Sequence, residues 1–353
     1  MDRPLRILMV TTEWPRDSWG GTATFVQRQA EFLRAAGVVV DVFEFVAAKQ
    51  PGNYLRAWRE VRRRVRGAAY DVIHAQFGQS GLVALPKPLP LVVTFRGDDL
   101  EGELGDHSGR LTPLGRLLPW LSRYVARRAD AVILVSEHLK RALGPRVAGR
   151  AHVIPSGLDF ERFRPLPPGE ARRRLDLSPD TPLVLFVGSP TLARKRYGLA
   201  RAAVERLRQR VPAELVLGWS VPHREVPLYM SACDALVFTS LQEGSPNVVK
   251  EALACDLPVV SVAVGDVAER LAGVAGCELC GDDDPETIAA ALERVLRRGG
   301  RVRGREAVAH LDERVLTQRV IDIYRGVVAG RAAVAAPAPA RRDPPVAAGA
   351  VGE

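Results

Sequence analysis

The sequence predicts an α/β protein of two successive domains, each a parallel sheet with helices on both faces. Three observations lead there. Short β-rich apolar runs alternate with longer helical ones through the first half, and this alternation breaks at a proline-rich stretch from Pro155 to Pro168. It then begins again from LVLFVG onward. At 353 residues, with 47% hydrophobic side chains, the chain has the length and apolar content for two cores. Two Rossmann-like halves joined near Phe163, with their sheets facing across a cleft, is the simplest arrangement.

In the first half the expected strands are RILMVTT, VVVDVFEF, DVIHA, LVVTF, AVILVS and HVIPS. Helices are expected near Thr22 to Ala36, through the arginine-rich stretch after Arg56, and near Thr112 to Arg128. In the second half the strands are LVLFVG, ELVLGW, ALVFTS and PVVSV, with helices over Tyr197 to Arg210 and Pro246 to Ala254. From Pro285 the chain reads as helical to about Val328. The expected divisions are 1–163, 164–312, a C-terminal helix over 313–330 packing back on the first domain, and a tail over 331–353. The tail, RAAVAAPAPARRDPPVAAGAVGE, has too few large apolar residues to bury a core and reads as disordered.

Composition narrows the function classes. No window approaches the run of about eighteen apolar residues that a membrane span needs, and MDRPLRILMVTTEW leads straight into a strand, so a soluble, cytoplasmic protein is expected. Four cysteines are too few for a disulfide framework, and the lone Cys277-x-x-Cys280 lacks the second pair that a structural zinc site wants. The net charge of +9 favours anionic partners: nucleotide donors, anionic lipids or nucleic acid. No stacking or groove-reading motif accompanies the basic residues, which argues against nucleic acid. The densest cluster is RAWREVRRRVRG, where Leu55, Trp58, Val61 and Val65 recur at helical spacing. It is expected to be a solvated helix face docked by that apolar stripe, with peripheral contact to an anionic membrane as the second reading.

The chemistry concentrates in TSLQEGSPNVVKEALACDLPVV. Ser245 is expected as a helix N-cap and Pro246 at the first helical position, so that a helix N-terminus points out of the sheet's carboxyl edge. Free amides at Gly244, Ser245, Asn247 and Val248, aligned with the helix dipole, suit a diphosphate. Glu243 lies just before the helix and Glu251 in its second turn. Three further loops join them. Gly188 is followed by the basic run Arg194, Lys195 and Arg196. Gly20 and Gly21 allow backbone to approach a ligand closely. Arg96 and Asp98 follow the strand LVVTF, and His74 sits on DVIHA, where a satisfied core histidine competes with a cleft role. Asp282 to Asp284 contain an Asp-x-Asp, but they precede a helical run, where acids cap and favour the dipole.

The segment from Glu243 to Glu251, with seven residues between the two acids, resembles the E-x7-E signature of the large retaining GT-B glycosyltransferase family (glycosyl transferases group 1, family 4). Bacterial sucrose-phosphate synthases and many capsule and lipopolysaccharide transferases belong to that family. The flanking VPLYMSACDALVFTSLQEGSP and CDLPVVSV are similar as well, with a weaker likeness from Ile7 to about Ile323. The resemblance implies a GT-B fold with an N-terminal acceptor domain and a C-terminal donor domain. It implies metal-independent transfer of a hexosyl-type sugar from a nucleotide diphosphate sugar to a sugar, lipid-linked or small-molecule hydroxyl, with no further cofactor. Glu243 would lie beside the transferred sugar, Glu251 would bind the donor ribose, and Arg194 and Lys195 would neutralise the leaving diphosphate. The chain departs from the family pattern at Ser189, where an arginine is usual, and at Arg96, where a histidine is usual. Two other readings stay open: a GT-B nucleotide-sugar epimerase, which would share the donor site and need no separate acceptor, and a non-catalytic nucleotide-sugar binding module, which these departures prompt.

Overall fold

The computed structural model describes residues 3–15, 24–47, 50–105 and 110–335. The first sheet contains β1 (Arg6–Thr11), β2 (Val39–Glu44), β3 (Val72–Gln76), β4 (Leu91–Phe95), β5 (Ala131–Leu134) and β6 (His152–Val153), in the order β2-β1-β3-β4-β5-β6. The second contains β7 (Leu183–Val187), β8 (Glu214–Gly218), β9 (Ala235–Phe238), β10 (Val259–Ser261) and β11 (Glu278–Leu279), in the order β11-β10-β9-β7-β8. Every strand pairing within the two sheets is parallel.

Parallel strands need helical crossovers on both faces, which is why β3, β4 and β5 are buried throughout and mostly apolar. In each sheet the strand order reverses once, beside β1 in the first and beside β7 in the second. At such a switch point the flanking crossovers leave on opposite faces and open a crevice beyond the strand carboxyl ends. The loops after β1, β3, β4, β7 and β9 all emerge at these ends, and they are the loops that carry the candidate site.

A long C-terminal helix, Glu313–Ala335, returns to the first domain and packs against helix Thr24–Ala35. Its Leu316, Val320, Ile321 and Tyr324 join a core that also contains Ile7 and Met9 of β1 and Leu253 of the second domain. The helix runs to Ala335, so the expected tail begins too early: 331–335 continue the helix. Residues 336–353 lie outside the described ones.

Three local expectations are corrected. Strand HVIPS pairs only over His152–Val153, and β11 was not foreseen. The apolar stripe of helix Pro51–Gly67 does not dock along its whole length. Ala57 and Val61 are buried, but Leu55 keeps 49% of its surface exposed.

Candidate active site

A cavity of about 1190 Å³ opens between the two sheets and is lined by residues from both domains. On the C-terminal side, β9 delivers Glu243 and Gly244, and helix Asn247–Ala254 starts immediately beyond. Its first amides have no partner within the helix and face the cavity with the positive end of the dipole. Pro246, in extended backbone, occupies the N-cap position without a side-chain cap bond. Ser245 is therefore not the cap that its sequence position suggested. Its Oγ donates instead to Asp266 Oδ2 at 2.8 Å, drawn away by a carboxylate from a distant loop.

Glu243 Oε1 accepts from Arg194 Nη1 at 3.0 Å and from Lys195 Nζ at 2.5 Å. Burial alone would raise the pKa of this carboxyl, but the charges of Lys195 and Arg194 outweigh it and hold the group below its ordinary value. The two cations stand on the loop after β7, which leaves the strand through Gly188, whose φ of +145° only glycine adopts easily. Ser189, at the position where the family usually has an arginine, is buried and hydrogen-bonds Thr191.

Glu251 is buried one helical turn further in. His223 Nε2 lies 3.2 Å and Arg28 Nη1 3.7 Å from its Oε1. Burial pushes this carboxyl up, but His223, Arg28 and Lys250 pull it further down. Arg28 also contacts Glu313 at 3.1 Å and the Gly157 carbonyl at 2.6 Å, tying Glu251 to the C-terminal helix and the interdomain linker. Lys250 Nζ donates to the Ser156 carbonyl at 2.9 Å, and burial lowers its pKa to about 7.

On the N-terminal side, Arg96 stands over the Phe25 ring at 4.4 Å and donates to Ser156 Oγ at 2.6 Å and Gln76 Oε1 at 2.7 Å. Burial lowers its pKa to about 10, still far above neutrality, so it acts there as a fixed cation. Asp98 lines the cavity with Arg194 Nε 4.0 Å away. Asp99 is buried under it and accepts backbone hydrogen bonds from Arg96, Gly97 and Gly78, which shapes the loop. Glu13, just beyond β1, also lines the cavity, and burial raises its pKa, with Asp98 adding to the effect.

His74 does not line the cavity. It is fully buried, with Nδ1 2.6 Å from the Tyr324 hydroxyl and Nε2 2.8 Å from Thr94 Oγ1, and burial lowers its pKa to about 3. It joins the C-terminal helix to the first sheet rather than serving an acceptor. Gly20 and Gly21 lie outside the described residues. Asp284 caps helix Pro285–Arg298 by accepting from the Glu286 amide, and Asp283 pairs with Arg196.

Thus Glu243, Arg194 and Lys195 meet in one cluster, and Gly188, Gly244 to Val248, Glu251, Arg96 and Asp98 all line the same cavity. Sequence reasoning missed Glu13, Arg28, His223 and Lys250. Glu13 had a usable signal, an acid at the carboxyl end of a switch-point strand. His223 and Arg28 had none, because a loop histidine and a helical arginine are unremarkable until the fold brings them to Glu251.

Two parallel-sheet domains with a helix N-terminus and paired carboxylates at their facing edges define a glycosyl-transferring protein of the GT-B class. Comparison with known proteins agrees: the model described as Glycosyltransferase Family 4 matches residues 19–162, and Glycosyl transferases group 1 matches 184–298. A D-inositol 3-phosphate glycosyltransferase of Frankia alni is 30% identical, over 79% of this chain and 86% of its own. Among solved structures, sucrose-phosphate synthase from Thermosynechococcus elongatus superposes with a TM-score of 0.77 at 20% identity, covering 92% of this chain and all of that one. Anabaena HepE in complex with UDP and glucose superposes with a TM-score of 0.64 at 17% identity, covering 93% and 99%. The chain belongs to glycosyltransferase family 4 and is a GT-B glycosyltransferase.

Proposed function

We propose that the protein transfers a hexosyl-type sugar from a nucleotide diphosphate sugar to a hydroxyl acceptor, with retention of anomeric configuration and without a metal ion. One observation carries the reading: Arg194 and Lys195 converge on Glu243 beside the start of helix Asn247–Ala254. Breaking the glycosidic bond places charge on the leaving diphosphate. The two cations and the helix amides are fixed where that charge develops, so they stabilise the transition state more than the ground state. Glu243, whose ionised form they favour, stands beside the sugar. Glu251, anchored by His223 and Arg28, presents a carboxylate of lowered pKa to the ribose hydroxyls.

The acceptor enters from the side of Arg96, Asp98 and Glu13, where any proton transfer falls to a carboxylate because Arg96 keeps its proton at neutral pH. The domains exclude water from the donor and so limit its hydrolysis. The setting we infer, cell-surface glycan or glycoconjugate assembly, rests on the sequence likeness to capsule and lipopolysaccharide transferases.

A thermal-shift panel of nucleotide diphosphate sugars tests the donor site, because a ligand bound to the native state alone raises apparent stability by mass action. Indifference of the wild type to every donor overturns the reading. Incubation with donor alone, followed by NMR of the sugar, separates transfer from epimerisation. The anomeric coupling of the transferred sugar reports retention, and a chelator that abolishes turnover would contradict metal independence.

A further inference from the structure

The cavity continues past the groups that face the sugar. On the N-terminal side it becomes a trough between helix Pro51–Gly67 and helix Pro113–Arg128, lined by Leu55, Trp58, Leu82, Leu117, Leu118 and Leu121. Leu55 and Leu117 are 49% and 46% exposed, an apolar surface held open to solvent inside a functional cavity. It does not stop at the rim. Leu117, Trp120 and Tyr124 follow at helical spacing, with Trp120 61% exposed and its ring stacked on Tyr124.

Cations surround this apolar face. Trp58 also walls a second depression, otherwise lined by Arg59, Arg62, Arg63, Arg66 and Gly67. Arg62 lies over the Trp58 ring at 4.3 Å, and its Nη1 is buried without a hydrogen-bond partner. Arg128 lies over Tyr124 at 5.1 Å. A sugar-only acceptor would leave the leucines of the trough in water. An aliphatic chain covers them, while amphipathic aromatic rings and flanking arginines suit the head-group level of an anionic bilayer.

We propose that the trough seats the hydrocarbon segment of a membrane-borne lipid acceptor, whose head-group hydroxyl reaches the Arg96, Asp98 and Glu13 end of the cavity while the Leu117, Trp120 and Tyr124 face rests on an anionic bilayer. The inference rests on the sugar-transfer reading and names its acceptor class.

The full-length protein is sedimented with phosphatidylglycerol/phosphatidylcholine vesicles and with phosphatidylcholine alone. Its melting temperature is measured with dodecyl glucoside below the micellar concentration and with glucose. The expected results are about tenfold tighter binding to the anionic vesicles, weakened by Trp120→Ala, and stabilisation by dodecyl glucoside but not glucose. Leu55→Glu and Leu117→Glu, at exposed positions that do not carry the fold, should lose the dodecyl glucoside shift. Equal binding to both vesicle types, or a dodecyl glucoside shift unchanged in these variants, overturns the proposal. A nucleotide-sugar shift measured on the same samples separates the two readings. If the donor stabilises the wild type and the amphiphile does not, the lipid assignment alone falls; if neither does, the transfer reading falls with it.

Discussion

Gly244 and Arg96 close the cleft against each other: a Cβ on Gly244 would stand 1.9 Å from the Arg96 carbonyl oxygen. Gly97 adjoins the same contact, a Cβ on it standing 2.9 Å from the Gly244 amide nitrogen, and Ser136 Oγ donates to the Gly244 carbonyl at 2.8 Å. Backbone touches backbone here, so no side-chain rotation relieves an added methyl. Gly244→Ala must push the loop after β4 away from the loop after β9, and Glu243 moves with it. We expect kcat/KM to fall about a hundredfold, as a misplacement of ~1 Å does elsewhere, with a small loss of melting temperature. Unchanged kinetics would mean that the two loops do not need this contact for turnover.

Glu243→Gln keeps the shape and removes the charge that holds Arg194 and Lys195. Turnover should fall by about two to three orders of magnitude, the loss typical for a preorganised electrostatic group. Nucleoside diphosphate binding should hold or tighten, because the freed cations can turn to the phosphates. Parallel measurement of kcat and of diphosphate Kd checks this; equal losses in both would reassign Glu243 to binding.

Glu251→Ala should weaken donor binding about tenfold or more, the scale of a hydrogen bond to a charged group. The donor-induced melting shift should shrink at donor concentrations that saturate the wild type, since tenfold weaker binding removes about 1.4 kcal/mol of ligand stabilisation. An undiminished shift places the ribose elsewhere.

Arg28→Met leaves Glu313 without its ion-pair partner, although that carboxylate side chain is only 4% exposed. Removing one member of a buried pair costs about 3 to 5 kcal/mol because the other charge stays buried. Urea unfolding should show the loss, and the C-terminal helix should become an early site of proteolysis. Stability within ~0.5 kcal/mol of wild type would remove Arg28 from the clasp.

His74 gives the protein a pH dependence with a definite sign. Its ordinary pKa of 6.5 is lowered to about 3 in the fold, so below pH 6.5 the unfolded chain takes up a proton that the native one refuses. Its contribution is complete above that pH and is lost as the pH falls towards the folded value. Between pH 6.5 and 5.5 the wild type should lose about 1 kcal/mol relative to a His74→Gln variant. Denaturant titrations at the two pH values measure it, and parallel losses in both proteins would refute it.

The legible parts of this chain were those written in local pattern. Apolar runs gave the strands, and the glycine, serine, proline and acid order after β9 marked the loop that lines the cavity. The same local logic misjudged Ser245. A serine before proline is a natural cap, but Asp266, 21 residues on, bonds its hydroxyl instead. It misjudged Leu55 too: helical spacing puts it in the apolar stripe, yet that part of the stripe faces the trough rather than the sheet. His74 read as either core or cleft, and only the position of Tyr324, 250 residues away, decides for the core.

By itself the sequence determined two parallel sheets and a loop with acids at 243 and 251, since hydrophobic period and turn chemistry act over a few neighbouring residues. Only the tertiary structure decided which charges meet. Arg194 and Lys195 lie 49 and 48 residues from Glu243, and Arg28 lies 285 from Glu313. Such pairings follow from how crossovers stack the sheets and return the last helix. Coulomb and hydrogen-bond energies depend on distance through space, which no local pattern encodes.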